Sequence, residues 1–192
     1  MNSITLELIR FTVDKSFNLF APAFTTLRQT VKTSGVKEQY YGLTDDNSNQ
    51  LLWVIDESSQ FRRQINALDV NSKHVSWLVP FRFAGRSPSC LDCACMRIRG
   101  SRLRRWVSCP IFDSLHKTFT DCYHAHGFTG GNWGIATNSN DRVCLYVIGW
   151  ESRAHHAEYS KSPLFDVEID KLKPHFAPGS MGLYSKLTQE LS

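Results

Sequence analysis

The feature that most limits how this chain can fold is an internal repeat. GVKEQYYG (Gly35 to Gly42) aligns with GFTGGNWG (Gly127 to Gly134), with glycines seven apart in each and Tyr41 or Trp133 just before the second glycine. One inserted residue later, LLWVIDESS (Leu51 to Ser59) lies over CLYVIGWES (Cys144 to Ser152), so the period is about 92 residues. A repeat of that length is a whole supersecondary unit rather than a solenoid turn.

Hydrophobic spacing supplies the elements of each unit. Ile4, Leu6 and Leu8 alternate, which predicts a strand over residues 4–12. Phe17, Phe20, Phe24, Leu27 and Val31 recur every three or four residues and predict a helix closed by Gly35. Two β-rich runs, VKEQYYGLT and LLWVID, flank the turn-forming DDNSNQ. A short helix over Phe61 to Leu68 and a strand over Val75 to Phe83 complete the order β-α-β-β-α-β. The second half repeats it, with helical spacing at Ile111, Phe112, Leu115, Phe119 and Tyr123 and a last strand at MGLYSKL from Met181. By register, Met96 to Val107 is its first strand, although its apolar residues are few and Arg104 and Arg105 need solvent or carboxylates. The repeats therefore occupy residues 1–85 and 111–192, joined by a Cys/Arg-rich segment, 86–110. That segment reads either as a long connection or as a stretch altered relative to relatives.

A βαββαβ unit is ferredoxin-like, an antiparallel sheet with helices on one face and an uncovered apolar face on the other. Two such units bury those faces by stacking sheet to sheet as a closed or nearly closed barrel with helices outside. The expected class is thus α+β, a pseudo-dimer within one chain.

Composition removes several alternatives. With 42% hydrophobic and 21% charged residues, the chain is globular rather than disordered. No apolar run reaches 18 residues, and Glu7 and Arg10 break the apolar start, so neither a membrane span nor a signal peptide is expected. A net charge of +4 is too mild for a nucleic-acid binder. Arg97, Arg99, Arg102, Arg104 and Arg105 lack stacking aromatics apart from Trp106. Six cysteines without a secretory signal point to reduced thiols and a cytosolic protein. Cys90, Cys93, Cys95 and Cys109 offer a zinc set, but no second C-x-x-C exists and Cys93 and Cys95 are one residue apart. Free cysteines and no metal are expected.

The stretch LYVIGWESRAHHAEYSKSPLF resembles the third strand and following helix of the dimeric α+β barrel superfamily, in particular antibiotic-biosynthesis-monooxygenase-like (ABM) domains of the fungal kind. The matching positions are Gly149, Trp150, Ser152 and His155 or His156, with Gly127, Trp133 and Gly134 upstream. The similarity covers about 60 residues of the second repeat, is weaker over the first and is absent over roughly 85–110. It implies the barrel fold and leaves the reaction open among cofactor-free oxygenases, polyketide cyclases, decarboxylases, haem-degrading enzymes and proteins of no known activity.

The repeats differ where chemistry would sit, because Trp150 and His155 lie over Glu57 and Arg62. The second repeat is therefore the expected site, with Trp133, Tyr146 and Trp150 as flat walls and Tyr159 on the helix face. Ser152 reads as the N-cap of that helix rather than as a nucleophile. His155, three residues after it, is the expected base; His156 is the reserve, since neighbours on a helix cannot both face inward. His124 and His126 suit a helix C-terminus, and His126 is a third candidate at the pocket mouth. No G-x-G-x-x-G, P-loop or H-E-x-x-H pattern is present, which agrees with an enzyme using no cofactor.

The leading expectation is His-mediated proton transfer on an aromatic or polyketide-like metabolite, leading to cyclisation, elimination or decarboxylation in secondary metabolism. A cofactor-free ABM-type monooxygenase, a non-catalytic ligand-binding or stress-associated barrel, and haem degradation with His155 as axial ligand are the alternatives. The expected assembly is a monomer or homodimer, with no nucleic-acid or membrane partner.

Overall fold

A computed structural model describes residues 3–55, 61–82, 94–104 and 108–191. The first half runs β1 (Ser3–Thr12), α1 (Pro22–Thr33), β2 (Glu38–Thr44), β3 (Asn47–Ile55), α2 (Arg62–Leu68) and β4 (Val75–Arg82). The second runs β5 (Cys95–Leu103), α3 (Cys109–Thr120), β6 (Phe128–Ile135), β7 (Arg142–Trp150), α4 (Arg153–Tyr159), α5 (Pro163–Leu172), β8 (Met181–Ser185) and β9 (Thr188–Leu191). A 3₁₀ turn follows α3 and another follows α5.

All strand pairs are antiparallel, in the order β4-β1-β3-β2-β8-β5-β7-β6, with β9 also on β2. The second four repeat the first four, so the order is that of two ferredoxin-like sheets joined edge to edge. Register shows the duplication directly. Gly42 pairs with Leu52, and Gly134 pairs with Leu145; Tyr41 pairs with Trp53, and Trp133 with Tyr146. Both glycines lie at the seams between the halves. A Cβ on Gly134 would come 2.6 Å from Val79 Cγ1 and 2.8 Å from Pro80 O, while one on Gly42 would overlap the Lys186 carbonyl. At the β6–β4 seam the Thr137 amide donates to Leu78 O at 2.9 Å, and the Leu78 amide donates to Asn138 Oδ1 at 2.8 Å. These bonds bring the sheet close to closure.

Three cores result. The interior, with Leu8, Leu52, Val54, Trp77, Met96, Ile98, Leu145 and Leu183, draws on both halves. The other two lie between each sheet and its own helices: Ile9, Phe11, Phe24, Trp53 and Ile65 in the first half, Leu115, Phe119, Tyr146, Trp150 and Leu172 in the second. Central strands are thus buried on both faces, which is why LLWVI and VCLYVIGW are almost unbroken apolar runs.

Two boundaries differ from the sequence expectation. Helical spacing counts Phe17 and Phe20 into the first helix, but α1 starts at Pro22. Asn18 Oδ1 accepts from the Phe20 amide at 2.9 Å, a local turn that competes with helix, and Pro22 is preset for the first helical position. Phe17 still packs edge-on to Phe24, at 5.7 Å between ring centroids, whereas Phe20 is 83% exposed. Strand β5 stops at Leu103, earlier than Val107; the Arg104 amide turns to the His175 carbonyl at 3.0 Å. Arg105, Trp106, Cys90, Cys93, Glu57 and Phe83 lie outside the described residues.

Candidate functional site

Side chains alternate across a strand, so β5 and β7 each present one face to the barrel and one to the helices. On β7, Val143, Leu145 and Val147 enter the interior core, while Cys144, Tyr146, Ile148 and Trp150 face the helices. On β5, Met96 and Ile98 point inward; Arg97, Arg99 and Ser101 therefore share the helix-side face. Between that face and α3, α4 and α5 lies a mainly apolar cavity that opens to solvent. Its aromatic wall is Tyr146, Trp150, Tyr159, Phe165 and Phe176, and its polar groups include Arg97, Arg99, Ser101, Thr118 and His156.

The corresponding face of the first half is filled differently, as its register shows. Arg99 pairs with Tyr146 as Ile9 pairs with Trp53, and Ser101 pairs with Cys144 as Phe11 pairs with Leu51. Where the first repeat packs Ile9 and Phe11, both almost wholly buried, the second carries a guanidinium and a small hydroxyl. A phenyl group is exchanged for open space.

Ser152 accepts the His155 amide at 3.3 Å and caps α4. The cap sets the phase of the helix, and the phase separates the two adjacent histidines. His156 and Tyr159, three apart, share the face toward the cavity. Trp150 has its ring centroid 5.3 Å from His156 and 5.6 Å from Tyr159. His155 turns instead toward the loop before β6, stacking edge-on with His126 at 4.7 Å and placing Nδ1 3.7 Å from Glu151 Oε2. Gly127, with φ +74°, sits against this ring; a Cβ there would overlap it. The imidazole on the cavity wall is accordingly His156, and neither His155 nor His126 lines it.

His156 Nδ1 lies 2.6 Å from the Tyr184 hydroxyl. Burial, together with the positive charges of Arg97, Arg99 and Arg153, holds the imidazole pKa down to about 4. The ring is neutral at neutral pH. Burial also raises the Tyr184 and Tyr159 phenols, keeping both protonated. Tyr146 is committed, since its hydroxyl donates to Leu115 O at 2.8 Å. Tyr159 is held less firmly, since its buried hydroxyl faces only the Cys122 thiol, a weak partner.

Trp133 stands one layer behind the cavity, stacked on Tyr146 at 6.1 Å with its Nε1–H donating to His116 Nδ1 at 3.1 Å. The same positions in the first repeat hold Tyr41 and Arg28, bonded at 2.8 Å. The cysteines Cys109, Cys122 and Cys144 are free thiols. Burial pushes Cys122 and Cys144 up to about 12, so neither is a ready thiolate. Among the described residues no three metal-ligating side chains converge, and no helix is long and apolar enough to cross a membrane.

Sequence reasoning missed Arg97, Arg99 and Ser101 as site residues. The signal was available in MRIRGSRL, whose alternation puts Met96 and Ile98 on one face and Arg97, Arg99 and Ser101 on the other.

No protein-family model matches the chain, and no curated protein matches it. Solved structures do. A protein provisionally named a monooxygenase from Fusobacterium nucleatum subsp. nucleatum superposes with a TM-score of 0.69 at 11% identity, covering 100% of this chain and 96% of that one. A similarly named protein from Lactobacillus acidophilus NCFM gives 0.67 at 10% identity, covering 99% and 97%. An anthrone oxidase-like protein gives 0.68 at 9% identity, covering 99% and 94%. At these identities the likeness shows the fold: a nearly closed α+β barrel of the kind found in ABM-like proteins, matched over its whole length by single chains.

Proposed function

We propose that this protein is a small-molecule enzyme that removes a proton from an enolisable aromatic or polyketide-like substrate, with His156 as the base. The observation that supports it is a neutral imidazole on the wall of an aromatic cavity, oriented through Nδ1 by the Tyr184 hydroxyl. In this reading Nδ1–H donates to Tyr184 and Nε2 takes the proton from an acidic C–H. Trp150, Tyr159 and Phe165, packed on one another, form one apolar wall against which a flat ring system can lie, and the buried Tyr159 hydroxyl is placed to turn toward the oxygen on which charge develops. Formation of the anion raises the basicity of the imidazole in the complex, since a negative charge beside it offsets the arginines.

The fate of the anion separates two chemistries. Without oxygen it cyclises, eliminates or loses carbon dioxide. The names of the structural neighbours favour a second course, in which it reacts with dioxygen: a CH₂ group and O₂ give a carbonyl and water, with no metal or organic cofactor in the balance.

Deuterium exchange into the CH₂ of anthrone and of aromatic β-diketones, followed by NMR in D₂O, tests the proton transfer alone. The protein is expected to accelerate exchange over buffer, and His156→Gln to reduce the acceleration by about 10² to 10⁴ without lowering the melting temperature. His155→Gln is expected to leave it intact. Equal exchange in wild type and His156→Gln refutes His156 as the base. Oxygen consumption in the same samples distinguishes the monooxygenase from the non-oxidative enzyme.

A further inference from the structure

Arg97 and Arg99 of β5 need an explanation that the fold does not supply. Arg97 and Arg99 lie two residues apart on one face, so their charges repel, and among the described residues neither forms an ion pair with a carboxylate. Arg97 lies over the Tyr184 ring at 4.5 Å and Arg99 over the Phe176 ring at 5.4 Å. Arg99 Nε reaches Ser101 Oγ at 3.4 Å, a long bond that satisfies one of five donors. Among the described residues no Asp or Glu stands in the cavity lining. Placing two guanidiniums against aromatic walls without a counter-charge is costly. The equivalent positions in the first repeat, Glu7 and Ile9, show that the barrel folds without arginine there.

Space is also reserved for these groups. Gly182 on β8 pairs with Arg99, and any Cβ on it would overlap the guanidinium of Arg97. The guanidiniums, the Ser101 hydroxyl and the aromatic wall together form a charged end and a flat apolar body.

We propose that the ligand of this cavity is an aromatic carboxylate, its carboxylate bound by Arg99 and Arg97 and its ring laid against the wall that Trp150, Tyr159 and Phe165 form. This rests on the reading of the cavity as the working site, and it specifies the substrate class of that site. Guanidinium–carboxylate hydrogen bonds are the strong, charge-assisted kind, and a fork geometry selects a planar anion over a neutral group of the same shape. A substrate anchored at its carboxylate presents a fixed edge to His156.

Calorimetric titration of the whole protein with naphthoate and with the uncharged naphthalenemethanol tests this without any turnover. Naphthoate is expected to bind about tenfold or more tightly than the alcohol. Arg99→Met, which keeps an apolar stem, should erase most of that preference, and Arg97→Met should weaken it. Gly182→Ala, which displaces the tip of Arg97 only, should do the same with an unchanged melting temperature. His156→Gln should retain the preference, so loss of proton transfer and loss of anion binding are read separately. No tighter binding of naphthoate, including no binding of either compound, overturns the proposal, as does an undiminished preference in folded Arg99→Met.

Discussion

His156 carries the chemistry of the proposal, and its environment makes a prediction about pH. Its folded-state pKa of about 4 lies below the ordinary 6.5, so the unfolded chain binds the proton first as pH falls. Stability is therefore complete above pH 6.5 and declines as pH drops from there toward 4. Chemical denaturation of wild type and His156→Gln across this range should show the wild-type slope reduced in the variant. The acid limb of kcat/KM, which reports the free enzyme, should for the same reason lie nearer pH 4 than pH 6.5. Burial is the first cause of the shift and the arginines add to it, so Arg99→Met should move that limb upward. His155, on the outer side of α4 beside His126 and Glu151, gives a comparison residue one position away.

At the scale of elements, the cavity exists because β5 differs from β1 at one small position. Ser101 is wholly buried where Phe11 fills the first repeat. Ser101→Phe should close the cavity with a side chain that the equivalent frame already accommodates, abolishing naphthoate binding in calorimetry while the melting temperature holds or rises. Retained binding would place the ligand elsewhere. Helix α4 contributes through its ends and its turn: Ser152 fixes where the helix begins, and the Gly127 turn makes room for the histidine that faces away from the cavity.

At the scale of the molecule, the two halves share one interior core and two seams. Leu8, Leu52 and Val54 pack in the same cluster as Ile98, Leu145 and Leu183, so the halves should melt together in a single calorimetric transition. Gly134 marks the β6–β4 seam, where a methyl group would meet the Pro80 carbonyl at 2.8 Å and Val79 at 2.6 Å. Gly134→Ala should cost about 1–3 kcal/mol, measured as a lowered denaturant midpoint. Glu190 of β9 pairs with Arg28 of α1, a further tie from the end of the second half onto the first.

The duplicated element order and the antiparallel barrel were legible in the sequence. They follow from periodic burial and from a repeat in which Gly42 and Gly134, Leu52 and Leu145 hold matching places in their sheets. The aromatic residues Tyr146, Trp150 and Tyr159 were legible as cavity walls because strand alternation and helix spacing assign their faces locally. The identity of the inward histidine was not, because adjacent residues on a helix differ by about 100° and only the angle at which α4 meets the sheet decides between them. The arginines were hidden for a different reason. Their charge reads as solvent-facing until β8 is laid beside β5 and the helices close over it, and that neighbourhood is made by residues some 80 positions away in the chain.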